Sequence, residues 1–346
     1  VRRKLLTFGV LACPLLVWAA VGWRGRAAPP DPLAEVREKV GTRSAGPLLA
    51  QLRHDRSGNA EVFLLSARQC RLGGQPTEAA AHLEQAEALA RPGPPVERER
   101  SLLVATSNPP RARAALDPLL AADPTDADAL LTLAEAELQL GRPDRAIELA
   151  EGVTQRLPTD ARALYVRGRS RLQGRRLAAA RADLEAAVAA GPDALIHTAA
   201  RLSLASCLLD LGEFAPALQL FRAVRADDPA NPLAQFGVGR AASYLGQSDE
   251  AERSFLAVLE VRPGHPETLL ALAQVVEQRG DLERALGYLE QAEAHDPNRV
   301  ETLARLVKLL AALGRSDRAD RYEERYRKLD PTRQAPGAGQ RPAEAP

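Results

Sequence analysis

The sequence predicts an all-α chain of stacked helical hairpins, and three observations carry that prediction. Pro124, Pro158, Pro192, Pro229, Pro263, Pro297 and Pro331 are spaced by 34, 34, 37, 34, 34 and 34 residues. A glycine stands seventeen residues before most of them, at Gly141, Gly212, Gly246, Gly280 and Gly314. Alanine (65) and leucine (54) supply a third of the 346 residues while aromatics are 4%. Such a composition suits close helix packing and argues against a β-sandwich, whose strands want Val, Ile and aromatics. A fixed period of 34 with two breakers per repeat means two helices of about a dozen residues joined by short turns.

The chain opens differently. Arg2, Arg3 and Lys4 precede an uncharged run from Leu5 to Trp23. As a helix its nineteen residues would span about 28 Å, close to the roughly 30 Å of a bilayer's hydrocarbon core. Trp18 and Trp23 sit near the distal end, where an interfacial aromatic belt belongs. The expectation for residues 5–23 is therefore a single transmembrane anchor behind a basic flank (1–4). It would leave the rest of the chain on the periplasmic or extracytoplasmic side of an inner membrane. Two other fates stay open: a cleaved signal segment, with Ala20-Val21-Gly22 as a poor site, and a lipoprotein acylated at Cys13 after Val10-Leu11-Ala12. Residues 24–59 read as a linker that is Pro-rich at 24–32, and Leu48, Leu49 and Leu52 make 33–56 a candidate N-terminal cap.

From residue 60 the repeats take over, with each recurring residue type explained by one physical demand. Glycine ends the first helix because the chain must turn through the left-handed region there. Five residues on comes an alanine: Ala146, Ala179, Ala217, Ala251, Ala285 and Ala319, with Gly174 read as the fourth repeat's turn glycine, one place early. A larger side chain at that position would push the two helix axes apart. Proline ends the second helix because it forces the residue before it out of the α region. In the most regular repeat, 265–297, Leu269, Leu272, Ala273 and Val276 form one apolar stripe and Ala285, Leu289 and Ala292 the other.

Small residues recur at the eighth position (Ala67, Ala134, Gly168, Ala205, Gly239, Ala273). A twenty-fourth position is held by Leu83, Leu116, Ala150, Leu184, Phe221, Phe255 and Leu289. This pattern resembles the tetratricopeptide repeat (TPR) family. The resemblance covers 60–331, eight repeats near 60–92, 93–124, 127–158, 161–192, 198–229, 232–263, 266–297 and 300–331, and implies a right-handed superhelix, an α-solenoid. Departures are Arg201 and Gln235 at the fourth position, Pro118 inside a second helix, and three extra residues near Asp193–His197. The last helix, Asp317 to Lys328, is polar, as the end of a stack should be. The tail 332–346 is of low complexity and is expected to be disordered.

Chemistry is sparse. The 46 Lys+Arg and 45 Asp+Glu leave a net charge of +1, so no bulk field selects nucleic acid. His54, His82, His197, His265 and His295 fall on different repeats, and Cys13, Cys70 and Cys207 form no metal knuckle. The GxGxxA string at Gly237–Ala242 lacks a preceding strand. Neither a catalytic site, a metal nor a cofactor is expected.

What remains is binding. The resemblance implies that the first (A) helices line a concave wall whose partner contacts come from positions two, five, six, nine, twelve and thirteen. In this chain these include Arg68 and Arg71, Glu135, then Arg162, Tyr165 and Arg169. Ser203, Ser206, Phe236, Arg240, Tyr244, Gln274, Arg305 and Lys308 follow. Residues 159–192 hold seven arginines against three acids, and arginine's planar fork suits carboxylates. The expected partner is a protein or peptide with acidic character, gripped by Arg162, Tyr165, Arg169, Phe236, Arg240 and Tyr244. The expected role is a membrane-anchored scaffold in bacterial cell-envelope assembly or secretion, the lipoprotein form serving pilus or secretion-system assembly.

Overall fold

The computed structural model describes residues 31–91, 93–191 and 193–329. The apolar run 5–23, Cys13 and the tail 332–346 lie outside the described residues. Among those described there are eighteen α-helices, one short 3-10 turn and no strand. Helices α1 (Pro32–Lys39) and α2 (Ala45–Asp55) come first, followed in chain order by α3 (Ala60–Leu72) and α4 (Pro76–Leu89), α5 (Pro94–Ser107) and α6 (Ala112–Ala122), α7 (Ala127–Gln139) and α8 (Pro143–Arg156), α9 (Ala161–Gln173) and α10 (Leu177–Ala190). The rest are α11 (His197–Asp210) and α12 (Phe214–Asp227), α13 (Pro232–Tyr244) and α14 (Ser248–Val261), α15 (Pro266–Gln278) and α16 (Leu282–His295), and α17 (Val300–Ala312) and α18 (Ser316–Leu329). The chain divides into two compact bodies at Leu103, within α5.

In the first body, part of the stretch read as linker is helical. Leu33 and Val36 of α1 and Leu49 and Leu52 of α2 share a core with Val62 of α3. The Gln69 amide takes a hydrogen bond from the Gly41 N–H (2.8 Å) and donates one to the Thr42 carbonyl (2.7 Å), completing the α1–α2 loop. Beneath it, Arg71 donates to Glu99 at 2.5 Å, both side chains almost wholly buried.

The second body shows how each breaker works. The A helices start on Asx caps where the sequence supplies them: Asp126 accepts from the Asp128 and Ala129 N–H groups, Asp160 from Ala163 and Asn231 from Ala234. They end in a left-handed turn at Gly141, Gly212, Gly246, Gly280 and Gly314, with φ between 70° and 84°. There the N–H after the glycine bonds back to a carbonyl five residues earlier, as Arg142 does to Glu137 (2.9 Å) and Glu213 to Leu208 (2.8 Å). The second (B) helices end in an extended residue before proline, such as Asp123 (φ −139°, ψ 95°) and Asp228 (φ −141°, ψ 91°). Helix α6 continues through Pro118.

Repeat four corrects the sequence reading by one residue. Gly174 is an ordinary helix end (φ −75°), and Arg175 takes the left-handed turn at φ 59°. The alanine at the helix crossing is accordingly Ala180, fully buried, while Ala179 is exposed.

Successive A helices touch from α7 through α15, whereas no comparable contact joins successive B helices. The A helices therefore form the inner wall of this body. A continuous core of Ala, Leu and Val with Phe221 and Phe255 runs between the two layers from α7 to α15, and a second cluster holds α15 to α18 together.

Candidate partner-binding wall

Seven arginines gave repeat four its charge, and the structure spends six of them internally. Arg167 grips Asp183 with two bonds (2.6 and 2.9 Å), and Arg171 bridges Asp183 (2.7 Å) to Glu151 (2.7 Å). Arg175, Arg176 and Arg181 pair with Asp210, Asp144 and Glu213 of neighbouring repeats. Arg162, expected on the open wall, bonds Asp128 (2.6 Å), Glu135 (3.1 Å) and the Thr132 hydroxyl (3.1 Å) of the preceding repeat. Burial pulls its pKa down, and Glu135 and Asp128 more than reverse this, so it stays charged and committed. Arg162 is a clamp between repeats. Arg71, also expected on the wall, is the buried partner of Glu99.

Arg169 is the exception. It is exposed, makes no ion pair with a described residue, and lies over the Tyr165 ring at 5.5 Å. Tyr165 itself is buried, and burial pushes its phenol up against the opposing pull of Arg169. Arg240, two repeats on, is half-buried and likewise makes no ion pair with a described residue. Of the other wall residues, Ser206 bonds the Leu202 carbonyl (2.9 Å) and Arg305 bonds the Gln274 amide oxygen (2.9 Å).

Phe236, Arg240 and Tyr244 lie one helical turn apart on α13. They line a hollow of about 290 Å³ with Leu270 and Gln274 of α15, floored by Phe255. Phe236 meets Phe255 at 5.8 Å and His265 at 5.9 Å. Tyr244 is more than half exposed and stacks on Phe214 at 4.5 Å. Inside the rim, Arg299 donates to Glu267 at 2.7 Å and holds that carboxyl below its usual range.

A second hollow, of about 320 Å³, adjoins the first and shares Phe236 and Arg240 with it. Ser203 and Ser206 of α11 also line it, and its remaining walls are apolar: Leu172 of α9, Leu202 and Leu209 of α11, Leu233 of α13, and Phe221 of α12 below. None of these apolar residues was a candidate from sequence. The signal was present, since Leu172, Leu202, Leu209 and Leu233 occupy wall positions, but a leucine at helical spacing reads as core.

Among the described residues, no group of three His, Cys, Asp or Glu side chains is placed to hold a metal. No described helix is long and apolar enough to cross a membrane. Cys70 and Cys207 are free thiols that burial pushes up. The GxGxxA glycines lie inside α13, where a Cβ at Gly239 would sit 2.5 Å from the Phe255 ring.

Two tetratricopeptide repeat models match the chain, one over 103–169 and 276–336, the other over 165–232 and 236–300. No curated protein sequence matches. Among solved structures, the Cut9–Hcn1 hetero-tetramer of the APC/C aligns over 82% of this chain with a TM-score of 0.66 and 14% identity. The chain spans 56% of that relative's length. YrrB, described as a TPR protein with an unusual peptide-binding site, aligns over 55% of this chain and 97% of its own (TM-score 0.45, 21% identity). MamA from AMB-1 aligns over 48% of this chain and 96% of its own (TM-score 0.42, 25% identity). The two models together account for about two thirds of the residues, and the chain belongs to the tetratricopeptide repeat family.

Proposed function

We propose that this protein is a non-enzymatic scaffold whose inner wall holds an extended, acidic segment of another protein. Tetratricopeptide repeat proteins mediate protein–protein interactions. The observation that carries the reading is the contrast among wall arginines. Six arginines of repeat four are neutralised by carboxylates, whereas Arg169 and Arg240 face the wall with none. A wall cation with no internal carboxylate gains most from one brought by a ligand.

We further propose that residues 5–23 tether the scaffold to an inner membrane with the repeats on its periplasmic or extracytoplasmic side, serving envelope assembly or secretion. The support is the uncharged run with its leading cations and distal tryptophans. The alternative, a lipid on Cys13 and a role in pilus or secretion-system assembly, is favoured by Val10-Leu11-Ala12-Cys13 alone.

The test is cross-linking of C-terminally tagged full-length protein in its native membranes, with mass spectrometry of what is captured. One stoichiometric partner that is lost with Arg169→Glu and Arg240→Glu supports the scaffold reading. Capture that both variants leave unchanged sinks it. Alkaline carbonate washing of the same membranes separates a tethered protein, which stays, from a released one.

A further inference from the structure

Resting on the inner wall as the partner-binding face, we propose that the hollow between repeats five and six selects one large apolar side chain. That side chain belongs to a segment with acidic residues on both sides of it.

The polar lining of the hollow is Arg240, Ser203 and Ser206, and the rest of it is apolar. Phe221 floors it, and Leu172, Leu202, Leu209, Leu233 and Phe236 surround it. Ser206 adds little polarity, because its hydroxyl is turned onto its own helix at the Leu202 carbonyl. Leu233 is 60% exposed, a large apolar surface that a ligand side chain would cover. The volume, about 320 Å³, stands near the lower end of small-molecule pockets and suits a single bulky side chain.

Gly237 makes the hollow possible. A Cβ there would run into the Phe221 ring, so the glycine lets that ring pack against the α13 backbone. Glycine inside a helix costs about 1 kcal/mol relative to alanine, and here it leaves the space above Phe221 open.

The two wall cations with no internal carboxylate are Arg240 and Arg169. Arg240 lies on the rim of this pocket and on that of the next hollow. Arg169 is three residues before Leu172 on α9, hence on the same face. An acid on each side of the apolar residue therefore meets a guanidinium. Neighbouring packed helices are about 9 Å apart, and a polyproline-type strand rises about 3.1 Å per residue with three residues per turn. A ligand in that form places an acid within three residues of the anchor at each end.

The experiment uses the purified full chain and a set of synthetic peptides, acetyl-Glu-Asp-Xaa-Asp-Glu-amide, with Xaa each of the twenty amino acids, read by fluorescence anisotropy. Leu, Ile, Met and Phe are expected to bind about tenfold or more tighter than Ser, Gly or Lys, the effect of burying one such side chain. Leu233→Ser, at an exposed site that folding tolerates, should shrink that preference, and Ser206→Phe should abolish it by filling the hollow. Arg240→Glu should weaken every peptide. Equal affinity for all twenty, still lost with Arg240→Glu, overturns the apolar anchor and leaves the acid-binding wall standing. An apolar preference that Leu233→Ser and Ser206→Phe leave intact also overturns it. Binding of none of the peptides, or binding indifferent to Arg240→Glu, overturns both.

Discussion

Arg175 turns the chain through the left-handed region and reaches Asp210 of the next repeat at 2.7 Å. Its neighbours in the stack use glycine at this turn, where a side chain costs about 1 kcal/mol. The ion pair it gains is largely exposed on the arginine side, and such pairs contribute about 0.2–1 kcal/mol, commonly near 0.5. The strain outweighs the bridge. Arg175→Gly is therefore expected to stabilise the protein by about 0.5 kcal/mol, raising the urea midpoint, whereas Arg175→Ala should lower it slightly. A lower midpoint for the glycine variant would show that the bridge dominates.

Asp183 is the hub of repeat four. Its carboxylate accepts from both Arg167 and Arg171 while only 6% of its side chain is exposed. Removing it strands the Arg167 guanidinium in a poorly hydrated site and leaves Arg171 with Glu151 alone, a loss of about 3 kcal/mol. Asp144, which pairs with Arg176 at the surface with both side chains more than half exposed, should cost no more than about 0.5 kcal/mol when replaced by alanine. Chemical denaturation of Asp183→Ala and Asp144→Ala measures the difference. Similar losses would mean that the hub is no more than another surface pair.

The fold was legible because its determinants are local. A glycine turn or a proline break acts on its own few residues, and its 34-residue repetition exposes it without any knowledge of contacts. The slip at Gly174 has the same origin: glycine is the common residue for a left-handed turn, and Arg175 adopts it at a cost invisible in one dimension. The site was half legible. Phe236, Arg240 and Tyr244 lie one helical turn apart on a single helix, so spacing alone brings them together. The fate of Arg162 depends on Asp128 and Glu135, 34 and 27 residues away, and no local rule reports whether a charge is already neutralised. The second hollow needed three helices in register with Phe221 beneath them.

Gly239 and Gly287 separate backbone propensity from packing. Both lie inside helices, α13 and α16. A Cβ at Gly239 would stand 2.5 Å from the Phe255 ring, whereas at Gly287 it would meet nothing within 4 Å. Gly287→Ala should therefore stabilise by about 0.5–1 kcal/mol through helix propensity alone. Gly239→Ala should destabilise by about 1–3 kcal/mol, the usual cost of overpacking a close-packed core. Thermal unfolding of the two variants gives opposite signs if packing governs the eighth position. A gain at both would mean that the Phe255 ring moves aside freely.

Glu250 ties α14 to α12 through Arg222 and Arg225, and this link predicts a pH dependence. The hydrogen bond from Arg222 holds the carboxyl below its usual range, burial opposes the shift, and Arg225 adds to the lowering. A carboxyl with a lowered folded-state pKa stabilises the fold fully above its unfolded value, about 4.3. That contribution is lost as pH falls through the folded value, because protonation then dissolves both arginine contacts. Native protein should thus be more stable than Glu250→Gln at pH 7, with the gap closing toward pH 3. Comparing the two proteins cancels every other carboxylate. A gap of equal size at both pH values would show that the hydrogen-bonded shape of the side chain, and not its charge, joins the two repeats.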